Sequence, residues 1–262
     1  MRVAVVGHVE WVEFLRVPHV PAVGEILHVR DAWSAPGGGG SVAAIRLAKL
    51  AGRSDFFTAL GDDELGRRAV AELEALGVRV HVAWRAEPQR RGVVFVDDAG
   101  ERTIVVIGNR LGPSGADRLP WDELAGLDGV YFTAGDADAL RQARAAHVLT
   151  ATPRAREALK EGGVELDALI GSGRDPGEVY EPGDLDPPPR LVVRTYGAQG
   201  AVAEPGGRFP AEPPPGPVVD AYGAGDSFAA CLTFGLAEGR PLPEAMELAA
   251  RCGAEALTRK GV

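Results

Sequence analysis

Residues Val3 to Val6 form an uninterrupted apolar run that closes on Gly7. A strand with one wet face alternates apolar and polar side chains, so a continuous run this short suits a strand buried on both faces at the centre of a parallel sheet. Such a sheet needs helical crossovers, and the chain supplies them. Val42, Ile45, Leu47 and Leu50 recur at helical spacing over 41–50, a strand is predicted over 55–60, and a helix over 64–76 stops at Gly77. Between 78 and 107 the pattern changes to alternation, with Val80-His81-Val82 and Val93–Val96, then the turn Asp97-Asp98-Ala99-Gly100 before Arg102–Val106, a hairpin signature. The βα rhythm returns with strands at 129–133, 148–149, 166–170 and 191–195, and two amphipathic helices at 224–236 and 242–257. Proline runs at 186–189 and 213–217 are short and flanked by strands, so they read as stiff surface loops and not as domain boundaries. The expectation is one α/β domain over 1–262 with a β-rich insertion or lid.

Composition narrows the function. Of 28 basic residues only Lys49, Lys160 and Lys260 are lysines, and none of them sits in a Walker A loop or in the V-A-I-K setting of protein kinases. The net charge of −9 argues against a general nucleic-acid binder. Cys231 and Cys252 are too few for a disulfide framework and read as buried free thiols in a reducing cytosol. No apolar run reaches the length of a membrane span or of a signal segment, so a cytoplasmic, unanchored protein is expected. The five histidines show no metal-ligand spacing and read as surface or packing residues.

The sharpest local signal is Asp220-Ala221-Tyr222-Gly223-Ala224-Gly225-Asp226-Ser227-Phe228, where the strand-like Val218-Val219 enters a small-residue turn and then an apolar helix. Gly223 and Gly225 leave the amides at the helix start free to hold an oxyanion or phosphate. Asp226 falls in the first turn. It reads either as a plain N-terminal cap or as a base that takes a proton from a hydroxyl while the adjacent amides hold a transferring phosphoryl group. Gly225-Asp226-Ser227 as a serine-hydrolase block fails, because no histidine follows His147. Gly7-His8-Val9-Glu10 lacks the G-x-G-x-x-G of dinucleotide binders.

Taken together, these segments resemble the ribokinase-like (pfkB) carbohydrate kinases over nearly the whole chain. The 220–228 segment is similar to the family's C-terminal signature D-T-T-G-A-G-D-[AS]-F. Pro36-Gly37-Gly38-Gly39-Gly40 is similar to its N-terminal glycine signature, Gly61-Asp62-Asp63-Glu64-Leu65-Gly66 to G-D-D-x-x-G, Val23-Gly24-Glu25 to P-G-E, and Thr195-Tyr196-Gly197-Ala198-Gln199-Gly200 to T-x-G-x-x-G. The resemblance implies a three-layer fold with a central, mostly parallel sheet and a small β-sheet lid formed by segments of about 11–31 and 91–107. It implies a kinase that uses ATP and Mg²⁺, with Asp226 as base and Gly223, Ala224 and Gly225 as anion hole. Thr195, Gly197, Gly200, Ser172 and Arg174 are then the nucleotide-side residues, and Glu10, Gly37, Gly38, Val42 and Arg102 line the substrate. The implied partner is a sugar-like or nucleoside-like molecule, and the lid is a candidate homodimer interface.

The chain departs from the family pattern at its ligand positions. An Asn and an Asp that grip sugar hydroxyls fall at Glu10 and Val12, and a second sugar-binding Asn falls at Val42. Valine leaves a hydroxyl unpaired at a cost of about 1–3 kcal/mol, so either Glu10 replaces one of the missing contacts or the acceptor is less hydroxylated, nucleoside-like or otherwise apolar. The magnesium motif N-x-x-E becomes Ser172-Gly173-Arg174-Asp175, which makes Asp175 the candidate for a metal-bound water. Asp220 is the candidate for a monovalent cation, beside Ala221 and Tyr222. The competing expectation is a sugar- or nucleoside-binding member of the same fold that has lost phosphoryl transfer.

Overall fold

In the computed structural model, which describes residues 1–261, the chain begins with β1 (Val3–His8) and leaves for β2 (Glu10–Arg16) and β3 (Asp31–Gly37). It returns through α1 (Gly39–Ala51) to β4 (Ser54–Gly61), α2 (Glu64–Ala75) and β5 (Val78–Arg85), followed by the hairpin of β6 (Arg91–Val96) and β7 (Arg102–Ile107). The second half runs through β8 (Gly129–Phe132), α3 (Ala137–Ala143), β9 (Val148–Ala151), α4 (Arg156–Gly162), β10 (Ala168–Ser172) and β11 (Val192–Thr195). It closes with β12 (Ala201–Glu204), β13 (Gly207–Phe209), α5 (Ala224–Ala237) and α6 (Leu242–Ala256).

Nine strands form the main sheet in the order β13-β12-β11-β10-β9-β8-β1-β4-β5, parallel except for β12 and β13. The opening run is buried on both faces as predicted, with all six residues of β1 enclosed, but it lies third from the β5 edge, between β8 and β4, and not at the centre. Val3 and Val5 face one side, packing with Ala44 and Leu47 of α1 and Ala230 of α5; Ala4 and Val6 face the other, with Leu140 of α3 and Leu159 of α4. Helix layers on both faces therefore explain the lack of alternation. From β1 the chain order runs outward to β4 and β5 on one side and to β8–β11 on the other. Reversal of strand order of this kind opens a crevice beyond the carboxyl ends of the two strands, here between His8 and Thr133.

A second sheet of order β3-β2-β6-β7 makes the lid. The hairpin over 91–107 is where the sequence places it. The first lid segment differs from expectation. β2 starts at Glu10, residues 17–30 form no strand, and the strand that pairs with β2 is Asp31–Gly37, where Trp33 and Ala35 alternate with polar Ser34 only weakly. β5 also differs, because it pairs with β4 in the main sheet and not with the lid; its alternation reflects an edge strand with one covered face. Val218-Val219 pairs with no strand and forms irregular chain ahead of α5. The proline runs lie in loops, as expected.

The expectation of free thiols is overturned. Cys231 of α5 and Cys252 of α6, both buried, are joined as a disulfide. The reason lies in helix packing, which brings their Cα atoms to 6.4 Å, within bridging range. No helix among the described residues is long and apolar enough to cross a membrane.

Candidate active site

The crevice at the carboxyl end of the sheet collects most of the residues that the sequence singled out. Asp226 stands in the first turn of α5, but it is not the cap. The N-cap is Gly223, in a left-handed conformation with φ 72°, and no side chain caps the helix. An added Cβ at Gly223 would lie 2.8 Å from Val42 Cγ1, so only glycine fits there, whereas a Cβ at Gly225 would meet nothing within 4 Å. The amides of Gly223, Ala224 and Gly225 thus begin a 14-residue helix beside open space, an arrangement suited to an anion. Burial pushes the Asp226 carboxyl up to about 6, Glu178 and Glu10 add to that, and Arg102 and Arg154 oppose it. A carboxylate poised near neutrality is a competent base.

On the lid side, α1 starts against Asp226. A Cβ at Gly39 would lie 2.6 Å from Asp226 Oδ1, and Gly38 (φ 86°) lies against His8 and the Glu10 amide. The glycine signature therefore lets the helix start approach Asp226. Glu10 lies beside Arg90, with Nε 2.8 Å from Oε1, and 3.7 Å from His8 Nε2. That ion pair does not have hydrogen-bond geometry, and Arg90 Nε, His8 Nδ1 and Thr133 Oγ1 are buried without partners. Burial, then Arg110, Arg90 and Arg154, hold His8 down to about 3, so it is neutral at any working pH. Gly37 lies against Tyr222, whose hydroxyl accepts a 2.7 Å bond from the Gly38 amide. Arg102 reaches from β7 to the Ala221 carbonyl, next to the anion hole.

Val42 does not face an open pocket. It is 5% exposed and packs with Val12, Phe14, Val94, Val96 and Tyr222 under the lid. Apolar residues at 12 and 42 thus complete one another and leave no polar grip at that point.

The two nucleotide-side segments meet at the ends of β10 and β11. Gly173 N–H donates to the Thr195 carbonyl at 2.9 Å, and an added Cβ at Gly197 would lie 3.8 Å from the Arg174 guanidinium. Gly197 (φ 61°) and Gly200 (φ 82°) shape the turn that follows Thr195. The Ser172 hydroxyl accepts from the Arg174 and Asp175 amides, which closes this loop on itself. Asp175 caps the short turn after it and pairs with Arg154. Glu178, three residues further, accepts the Ser172 amide and the Arg154 Nε, each at 2.6 Å. Asp175 and Glu178 are hard oxygen donors of the kind that Mg²⁺ bound with phosphates takes, although both are paired with Arg154, which a cation there would have to displace. Asp220 does not fit a cation as well. It is 1% exposed, accepts the Tyr222 amide at 2.8 Å and the Gly261 amide at 3.3 Å, and burial pushes its pKa up. Among the described residues a compact carboxylate–histidine cluster occurs elsewhere, at Asp55, His81 and Glu123, where Arg79 already pairs with both carboxylates.

His8, Arg90, Arg110, Arg154 and Glu178 were not anticipated from the sequence. The available signal was position at strand ends: His8 closes β1, Arg154 follows β9, and Glu178 lies six residues after Ser172. Arg90 and Arg110 flank the hairpin and carry no motif.

The family model described as pfkB family carbohydrate kinase matches residues 1–172 and 183–262. An ATP-dependent ribose-1-phosphate kinase of Halopiger xanaduensis is 30% identical, aligned over 100% of this chain and 93% of its own. A microbiome-derived acarbose kinase shares the fold at TM-score 0.81 and 25% identity, covering 99% of this chain and 93% of that one. A Cryptococcus neoformans ribokinase solved with ADP superposes at TM-score 0.76, with 24% identity over 99% of this chain and 94% of its own. The glycine-shaped helix starts around Asp226 and the family match over both halves of the chain agree: this protein belongs to the pfkB family of carbohydrate kinases.

Proposed function

We propose that the protein transfers the γ-phosphoryl group of ATP to a hydroxyl of a small sugar-like or nucleoside-like acceptor, with Asp226 as the base. The observation that carries this reading is the Asp226 carboxyl, pushed up to about 6, uncommitted to capping and set among the Gly223–Gly225 amides. The acceptor hydroxyl gives its proton to Asp226 as its oxygen bonds to the γ-phosphorus. The bond from that phosphorus to the bridging oxygen breaks, and ADP leaves. The amides and the α5 dipole stabilise the charge that gathers on the phosphoryl oxygens.

Thr195, Gly197, Gly200, Ser172 and Arg174 line the nucleotide side in this reading, and Glu10, Gly37, Gly38 and Arg102 the acceptor side. Mg²⁺, bound with the nucleotide phosphates, would be held by Glu178 and Asp175 directly or through water, and would neutralise phosphate charge. The names of the Halopiger relative and the Cryptococcus neighbour both concern ribosyl acceptors, which supports a ribosyl ring as the first acceptor to try. The exposed apolar strand β7 is where a second lid would pair in a homodimer.

A binding-only reading draws on Val12 and Val42, which offer a hydroxyl nothing. The uncommitted Asp226 favours catalysis. The test is ATP consumption over a panel of sugars, sugar phosphates and nucleosides for wild type and Asp226→Asn. Loss of the base is expected to cost about 10²–10⁴-fold in kcat. Tight binding of an acceptor with equal inactivity of both proteins would establish the binding-only reading instead.

A further inference from the structure

The loop ahead of α5 is held from the lid by two arginines. Arg16, at the end of β2, donates from Nη1 to the Val219 carbonyl at 3.1 Å, and Arg102, at the start of β7, donates to the Ala221 carbonyl. The two carbonyls flank Asp220, whose buried carboxylate accepts the Tyr222 and Gly261 amides and feels the charge of both arginines. The hairpin turn rests on the same loop, since a Cβ at Gly100 would lie 3.5 Å from Val218 Cγ1 and 3.8 Å from the Val219 carbonyl oxygen. The amides of Val219 and Asp220 both donate to the Leu257 carbonyl after α6, at 2.8 and 3.3 Å.

These contacts take up the oxygens that a monovalent cation at Asp220 would need. Such an ion draws together carboxylate and carbonyl oxygens that otherwise repel one another, and its charge dominates the loop around it. A guanidinium supplies the same positive charge permanently, together with N–H donors in a fixed fork. An ion approaching from the α1–α6 side would meet more positive charge. A cavity of about 20 Å³ there, against Tyr222 and Gly261, is bordered by Arg46, Lys49 and Arg259, with Glu255 paired to both arginines. Resting on the kinase reading above, we infer that Arg16 and Arg102 stand in for a monovalent cation at this loop, so that full activity needs no added K⁺. Both are positioning residues. They set the Val219 and Ala221 carbonyls, and Asp220 passes that setting to the anion hole, because it accepts the Tyr222 amide at 2.8 Å and Gly223 follows as the N-cap of α5.

Arg102 also lines the acceptor side in the kinase reading, so Arg16 is the residue that isolates the effect. The test uses the full chain at constant ionic strength, with KCl exchanged for tetramethylammonium chloride. Wild type is expected to show the same kcat in both salts. A displacement on the order of 1 Å at the anion hole costs up to about 10²-fold, so Arg16→Ala is expected to lose about 10- to 100-fold in kcat with little change in either KM. K⁺ or guanidinium ion is expected to restore part of that loss, and Arg16→Lys, which keeps the charge, to stay near wild type. Arg16→Gln, which keeps a donor without the charge, carries the same expectation if the alanine variant does not fold. Activation of wild type by K⁺ overturns the inference, as does an Arg16→Ala variant that is fully active or that neither ion restores. The second measurement is the melting temperature across the same salt exchange, where turnover plays no part. It is expected to stay fixed for wild type and to rise with K⁺ for Arg16→Ala. A saturable rise in wild type, or none in the variant, overturns the inference. The expected melting behaviour without phosphorylation of any acceptor overturns the kinase reading and leaves the cation-like hold on the loop standing.

Discussion

At the residue scale, the proposed reaction turns on the charge state of one side chain. Asp226 must be ionised to accept a proton, and burial raises its pKa to about 6. If Asp226 is the base, kcat/KM is therefore expected to rise with pH along a limb centred near 6. A rate flat from pH 5 to 8 would show that Asp226 is not the base. The same shift has a consequence for stability. In the unfolded chain an aspartate titrates near 4, so the folded state binds the proton more tightly. The stability this contributes is complete below about pH 4 and is lost as pH rises through 6. Above that, the fold carries an ionised carboxylate that burial disfavours. Asp226→Asn removes that cost, so it is expected to be more stable than wild type at pH 7.5, by on the order of 1–2 kcal/mol, with the gap closing toward pH 4. Thermal unfolding of both proteins across pH 4–8 checks the sign.

At the scale of elements, the lid matters to the proposed reaction because it places Arg102 beside the loop that leads to the Gly223–Gly225 amides. The β6–β7 hairpin carries Arg102 to the Ala221 carbonyl, and its charge is one of two that hold the Asp226 pKa down. Arg102→Ala is expected to move the acid limb of the pH profile to higher pH and to raise the acceptor KM by weakening the tether between lid and loop. An unmoved limb, measured at saturating acceptor, would show that Arg102 does not act on the base. The hairpin was legible in sequence because two alternating runs flank an Asp-Gly-rich turn, and β1 was legible because burial on both faces leaves no alternation. β3 was not, because its alternation is weak, and β5 was not, because an edge strand with one covered face alternates much as a lid strand does, and only pairing partners separate them. The site shows the same division. Asp226 and the glycines announce themselves because backbone geometry at a helix start demands particular residues. Arg90, Arg110 and Glu178 do not, because a side chain that reaches a crevice from a loop obeys no spacing rule. Even Asp175, which sits at the motif position, shares its arginine with Glu178, and chain order alone does not tell which of the two carboxylates faces Asp226.

At the scale of the whole molecule, the helix that presents Asp226 is fixed at its middle by a covalent link. Cys231 joins α5 to Cys252 of α6. Three residues on, Glu255 pairs with Arg46 of α1, and the chain beyond α6 brings Lys260 to Asp31 of the lid strand β3. One helix pair thus ties together Asp226, the helix that starts against it and the root of the lid. The cross-link closes a short loop, with a sequence separation of 21, for which chain-entropy reasoning gives about 3 kcal/mol. Both positions are otherwise apolar and fully enclosed, so alanines there keep the packing apart from the lost sulfur atoms. A Cys231→Ala, Cys252→Ala double variant is therefore expected to fold and to retain kcat within about twofold, because neither sulfur lies at the site. Its unfolding free energy is expected to fall by up to about 3 kcal/mol, and reductant should lower the melting temperature of wild type but not of the variant. Thiol titration of wild type unfolded without reductant decides the premise. Two reactive thiols, with a melting temperature indifferent to reductant, would mean that α5 and α6 are held by packing alone and that the base depends on no covalent tie.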